Sequence, residues 1–102
     1  MLTASQQGET LRLVAEENFI FTNAESLQKE LLQAVKSPPG QGVILDLTKT
    51  QIIDSIGVKL LVGLYQSCKA KGTPLALEVA SESVMKVLSL CKLNQIMEVR
   101  QS

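Results

Sequence analysis

The chain contains no histidine, no tryptophan and only two cysteines among its 102 residues. Without an imidazole, a base-activated serine or cysteine triad has no base, and a zinc site has almost no ligands. The two thiols, Cys68 and Cys91, both fall in apolar helical patterns. They read as reduced, small core side chains in a reducing compartment. Aromatic residues make up 3% of the chain, namely Phe19, Phe21 and Tyr65, too few for the stacking platforms of single-strand binders. Charge of either sign is not in excess: ten Lys and Arg balance ten Asp and Glu. Counterion release therefore gives no drive toward DNA or RNA, and no nucleic-acid partner is expected. No segment approaches the ~18 to 20 uninterrupted apolar residues of a membrane span, and the start MLTASQQGET has neither the basic nor the apolar part of a signal peptide. Cytoplasmic location without direct membrane insertion is the expectation. Paired acids, a nucleophile with its base and a phosphate-cradling glycine loop are also missing, so the chain reads as a binding protein and not an enzyme, with no metal and no cofactor.

What is present is a hydrophobic content of 45%, enough for one core in a single domain spanning residues 1–102 without disulfide or metal staples. Leu11, Leu13 and Ala15 alternate with Arg12 and Val14, a period of two that suits a strand against a core. Glu16, Glu17 and Asn18 interrupt it before the short apolar run Phe19–Ile20–Phe21, and a hairpin across that polar turn is the simplest reading. The first few residues are the one candidate for disorder. Thr22 or Asn23 can cap a helix whose apolar positions are Leu27, Leu31, Leu32 and Val35, ended by the tight loop Ser37–Pro38–Pro39–Gly40. Val43 to Leu47 is a nearly continuous apolar run, as in a central strand. Ile52 and Ile53 return the chain to the core. A strongly apolar helix from Ile56 carries Leu60, Leu61, Leu64 and Cys68 on one stripe, with Gly63 inside it either permitting close packing against a neighbour or having no role, and closes at Gly72 and Pro74. Leu75 to Val79 is a further strand, Ser81 opens a helix with Val84, Val87, Leu88 and Cys91 on its apolar face, and Ile96 to Val99 is a last short strand. Helix and strand alternation gives an α/β fold with a mixed sheet, since each short helical crossover makes neighbouring strands parallel.

The stretch Ile52–Ile53–Asp54–Ser55–Ile56–Gly57 joins strand to helix. An acid, a hydroxyl and a glycine in four positions at a helix mouth put the first free amides beside a side chain able to carry phosphate. The same residues are also what ordinary capping uses, because Asp and Ser oxygens accept bonds from those amides. Gly57 either leaves room for a phosphate or a partner backbone beside Ser55, or simply lets the chain pack against itself.

The strand Val43–Leu47 with Asp46, followed by IIDSIGVKLLVGLYQSCKAKG and LALEVASESVMKVLSLCKLNQIMEV, resembles the STAS domain, and within it the stand-alone anti-sigma factor antagonists. The match is good over roughly the last two thirds of the chain. The resemblance implies a mixed sheet flanked mainly on one face by helices. It also implies that Ser55, the serine of an Asp-Ser-x-Gly turn, is phosphorylated by a partner that is both serine kinase and anti-sigma factor, and restored by a serine phosphatase. Partner contact is then expected at Asp54, Ser55, Ile56, Gly57 and Lys59. The chain departs from the family at two places: EENFIF stands where an acid-bearing Gly-x-Leu-Asp turn is common, and Ile56 follows the serine where a small residue is common. Related domains also dock on membrane transporters and lipid-transport ATPases, which is the alternative function. Phosphate incorporation by a cognate kinase separates the two.

Overall fold

The computed structural model describes residues 2–36 and 42–102; the loop expected at Ser37–Pro38–Pro39–Gly40 lies outside them. Strands β1 (Leu2–Gln7), β2 (Thr10–Ala15), β3 (Gly42–Leu47), β4 (Leu75–Val79) and β5 (Glu98–Gln101) form one sheet in sequential order. β1 and β2 are antiparallel, and the three remaining pairings are parallel. Helices α1 (Ala24–Ala34), α2 (Ser55–Ala70) and α3 (Glu82–Leu90) supply the crossovers. Strand order that advances one place per crossover, with every crossover of the same hand, puts all helices on one side of the sheet.

Alternation along the strands separates the two faces. Leu13, Ala15, Val43, Leu45, Leu47, Leu77 and Val79 point into one cluster with Leu27 and Leu31 of α1, Leu61 and Leu64 of α2, and Val84 and Leu88 of α3. The opposite face carries an ion-pair group instead. Arg12 Nη1 donates to Asp46 Oδ2 at 3.0 Å, and its two terminal nitrogens meet Glu78 in a forked arrangement at 2.6 and 3.2 Å. Burial pushes the Asp46 carboxyl upward, but the hydroxyl and amide of Thr48 and the charge of Arg12 outweigh it and hold it below the usual carboxylate range. The apolar run Val43–Leu47 therefore marks a central strand covered by helices on one face only.

Several local expectations are corrected. The hairpin turns at Gly8 and Glu9, with Gln7 opposite Thr10, and not at Glu16–Asn18. Gly8 has φ +64 and Glu9 is not left-handed, the pattern that a two-residue hairpin loop of matching twist requires. The first residues are thus an ordered edge strand. Phe19–Phe21 is not a strand: Phe19 makes a single parallel bridge to Ile53, and Phe21 opens a 3-10 turn, Phe21–Asn23. Asn23 occupies the cap position of α1, yet its amide donates to Asn18 O at 2.9 Å instead of capping. Leu32 is exposed, as is Ile52. Gly63 has nothing within 4 Å of where a Cβ would lie, so it serves no close packing. Cys68 is buried and desolvation raises its thiol pKa, whereas Cys91 is exposed at the end of α3. The last strand begins at Glu98, with Met97 buried and Ile96 exposed.

The helix ends are satisfied by long-range and local partners. Lys71, just beyond α2, donates to Val35 O and to Lys36 O at the end of α1, where a cation is favoured by the helix dipole. Ser81 Oγ accepts from Val84 N at 3.3 Å and opens α3 as expected. After α3 the chain turns through Lys92 at φ 61, the one left-handed non-glycine residue among those described. A side chain in this conformation costs about 1–2 kcal/mol, against which glycine's backbone entropy counts. Lys92→Gly will therefore raise stability by roughly 0.5–1 kcal/mol in urea unfolding.

Candidate functional site

The segment 16–21 and the segment 50–57 lie side by side and are stitched by the backbone. Phe19 N donates to Ile52 O and Asp54 N donates to Phe19 O, both at 3.1 Å. Asn18 Oδ1 accepts from Gln51 N at 2.9 Å and Ile52 N at 3.1 Å. The buried hydroxyl of Thr50 donates to Glu17 O at 3.1 Å. Phe19 itself is fully buried. The result is a fixed platform from which α2 starts.

Asp54 is the helix cap, and it uses both oxygens. Oδ1 accepts from Gly57 N and Oδ2 from Phe21 N, each at 2.9 Å. These two amide bonds, Gly57 first and Phe21 second, hold its carboxyl below the usual range. Aspartate and asparagine are ordinarily equivalent caps, but asparagine has one acceptor oxygen, and its NH2 group would face one of the two N–H groups. Asp54→Asn will therefore lower the melting temperature at neutral pH. Because the folded carboxyl titrates below the unfolded one, its contribution is complete above the unfolded pKa and disappears as the pH falls through the folded value. The difference between Asp54→Asn and the parent chain should shrink progressively in melts taken at acid pH, as the pH falls through the folded value and the parent carboxyl protonates too.

Ser55 is the first residue of α2 and is exposed; no hydrogen bond engages its hydroxyl among the described residues. Ile56 is half-buried, and Lys59 is exposed with no ion pair among the described residues. Lys59 lies four residues beyond Ser55, one turn further along the same helix face. Asp54, Ser55, Ile56 and Lys59 thus share one surface around the helix start.

Gly57 does not belong to that surface. It is buried, and a Cβ there would lie 2.0 Å from Phe19 O and 2.8 Å from Ile53 Cγ1. The vacancy left by the missing side chain is filled by the protein's own backbone, so no phosphate or partner atom enters it. In its place the structure adds Phe21, 71% exposed, whose N–H donates to Asp54, and Ile52, 52% exposed and two residues before Asp54. Ile52 stands in a pair that reads as returning to the core, and Phe21 in an apolar run too short for a helix, whose pattern leaves exposed contact and burial both open.

The described residues contain no group of acids or cysteines able to hold a metal, and none of their helices is long and apolar enough to cross a membrane. The architecture is shared with several solved proteins. A Thermotoga maritima protein described as a candidate anti-sigma factor antagonist superposes with a TM-score of 0.89 at 22% identity, covering 99% of this chain and 86% of its own. The unphosphorylated form of the anti-sigma factor antagonist SpoIIAA gives 0.80 at 17% identity over 100% of this chain and 88% of its own. The phosphorylated form of the Bacillus SpoIIAA gives 0.73 at 17% identity, over 100% and 91%. The STAS domain family profile matches residues 1–102, the mixed sheet and its one-sided helices agree with it, and the chain belongs to the STAS domain family.

Proposed function

We propose that this chain is an anti-sigma factor antagonist of a partner-switching module. It binds a serine-kinase anti-sigma factor through the surface at the start of α2, is released when that kinase phosphorylates Ser55, and is restored by a serine phosphatase. The observation that carries this reading is the exposed, unengaged hydroxyl of Ser55 on a helix start that is otherwise rigidly capped. The solved structures of similar fold include SpoIIAA in both phosphorylated and unphosphorylated forms, which supports a fold able to carry the modification.

The physical step is local. Phosphate brings about 1.5 to 2 negative charges and three acceptor oxygens. The amino terminus of α2 tolerates an anion, and Lys59 offers a cation one turn on, so the free domain accommodates the group. At a contact the same group sits beside Asp54, on a surface that also exposes the apolar side chains of Phe21 and Ile52. A desolvated dianion that the partner's own surface does not match with a cation is costly, and the partner is expelled.

Incubating the chain with ATP and the serine kinase that co-purifies with it, followed by intact-mass and fragment analysis, tests the reading. One phosphate on Ser55, absent from Ser55→Ala, is expected. Phosphate at another residue, or none at all, would refute it.

A further inference from the structure

α1 and α2 do not close against each other along their outer sides, and an open groove of about 750 Å³ runs between them. On α2 its wall is a single stripe: Ile56, Leu60, Gly63, Leu64 and Ser67. From Ile56 to Ser67 the wall covers twelve residues, a rise of about 16 Å or three helical turns. Leu31 and Leu32 form the facing wall on α1, and Phe21 stands at the head. Leu32 is 48% exposed and Phe21 71% exposed, so the groove has apolar walls with nothing lying on them among the described residues. At Gly63 the wall has a notch, because no atom lies within 4 Å of a Cβ placed there.

We infer that this groove receives an amphipathic helix of the same serine-kinase partner whose contact Ser55 gates; the inference rests on the function proposed above. Three observations select that occupant. The groove is continuous with the Ser55 surface, since Ile56 and Lys59 line its upper end and also flank the serine, so a partner seated at Ser55 is already at its mouth. Its rims carry opposite charge, Glu25 on α1 and Lys59 on α2. They match a helix that turns a basic side chain toward the first rim and an acidic one toward the second, while its apolar stripe enters between them. Its open walls suit a helix better than a small molecule, which needs about 70–90% of its surface enclosed. Phe21 is the aromatic anchor at the head of the contact, held in place through the bond from its own N–H to Asp54. Affinity then resides in the groove, and the phosphate at its mouth acts as the gate.

The test uses the purified serine kinase without ATP, with its affinity for the chain measured by titration calorimetry. Gly63→Trp fills the notch, Leu32→Glu places a charge on the opposite wall at an exposed position that folding tolerates, Ser55→Asp mimics the gate, and Ser89→Leu on α3 is the control. The expected result is a loss of about tenfold or more for both groove variants, with the control unchanged. Amide shifts of the labelled parent chain on kinase addition should run along α1 and α2 as far as Ser67. If Ser55→Asp weakens binding while both groove variants bind as the parent does, the groove assignment is overturned and the switch stands. If the groove variants weaken binding and Ser55→Asp does not, the docking surface stands and the switch falls. If none of the three matters, both fall.

Discussion

Gly57→Ala will destabilise the fold by about 3 kcal/mol or more, whereas Gly63→Ala, six residues later on the same helix, will stabilise it by about 1 kcal/mol. Both changes add one methyl group to α2 and remove the same backbone freedom from the unfolded chain. At position 63 the methyl meets nothing within 4 Å, so only the gain in helix propensity remains. At position 57 it would sit 2.0 Å from the Phe19 carbonyl oxygen, a backbone atom fixed by its bond from Asp54 N. Relief requires moving α2 away from the platform, which strains the two Asp54 bonds and partly unseats the fully buried Phe19. Against a total stability of about 5–15 kcal/mol, such a loss is large. Parallel urea titrations of the two variants read it directly. Equal and small effects would mean that the segment carrying Phe19 yields easily, and that the platform beneath Ser55 is not rigid.

Phosphorylation of Ser55 will weaken kinase binding by about 30-fold to several thousandfold, corresponding to about 2–5 kcal/mol for a disrupted desolvated polar contact. Ser55→Asp moves in the same direction with a smaller effect, and Ser55→Ala binds as the parent does. Stability should not follow binding. The first turn of α2 has no acidic residue, so Ser55→Asp adds charge of the favoured sign at that helix end and leaves the melting temperature unchanged or higher. A substitution that keeps the fold and loses the partner marks a gate; since Asp54 and not Ser55 caps α2, Ser55→Asp with unaltered affinity would leave Ser55 an exposed first-turn residue with no part in binding. Surface plasmon resonance and thermal melts on the same preparations provide both measurements.

How much of this was legible before the coordinates depended on whether the determining contact was local. Val43–Leu47 and Leu75–Val79 were legible because each is a short run that is apolar but for a single acid, Asp46 and Glu78 respectively. The start of α2 was legible because acid, hydroxyl and helix sit in successive positions. β1 was not, since Leu2–Gln7 is largely polar and is held by pairing with β2 and not by burial. The platform was also hidden, because residues 18 and 19 meet residues 51–57 only after the sheet has formed. The composition of the Asp-Ser-x-Gly turn could not reveal which atom fills the space at Gly57. For the same reason Ile52, in a pair that reads as core, is an exposed side chain, and Cys91 lies exposed although its spacing puts it on the apolar face of α3.

The sheet's two borders also restrict how any visitor approaches. β1 offers Thr3, Ser5, Gln6 and Gln7, and β5 offers Glu98 and Arg100, which pair with each other. Short, polar or charged rims of this kind discourage a foreign strand from zipping on and extending the ladder. Strand addition at either border is thereby disfavoured, and if the function proposed above holds, a chain that must release its guest on demand avoids the long, cooperative backbone seam that would make release slow.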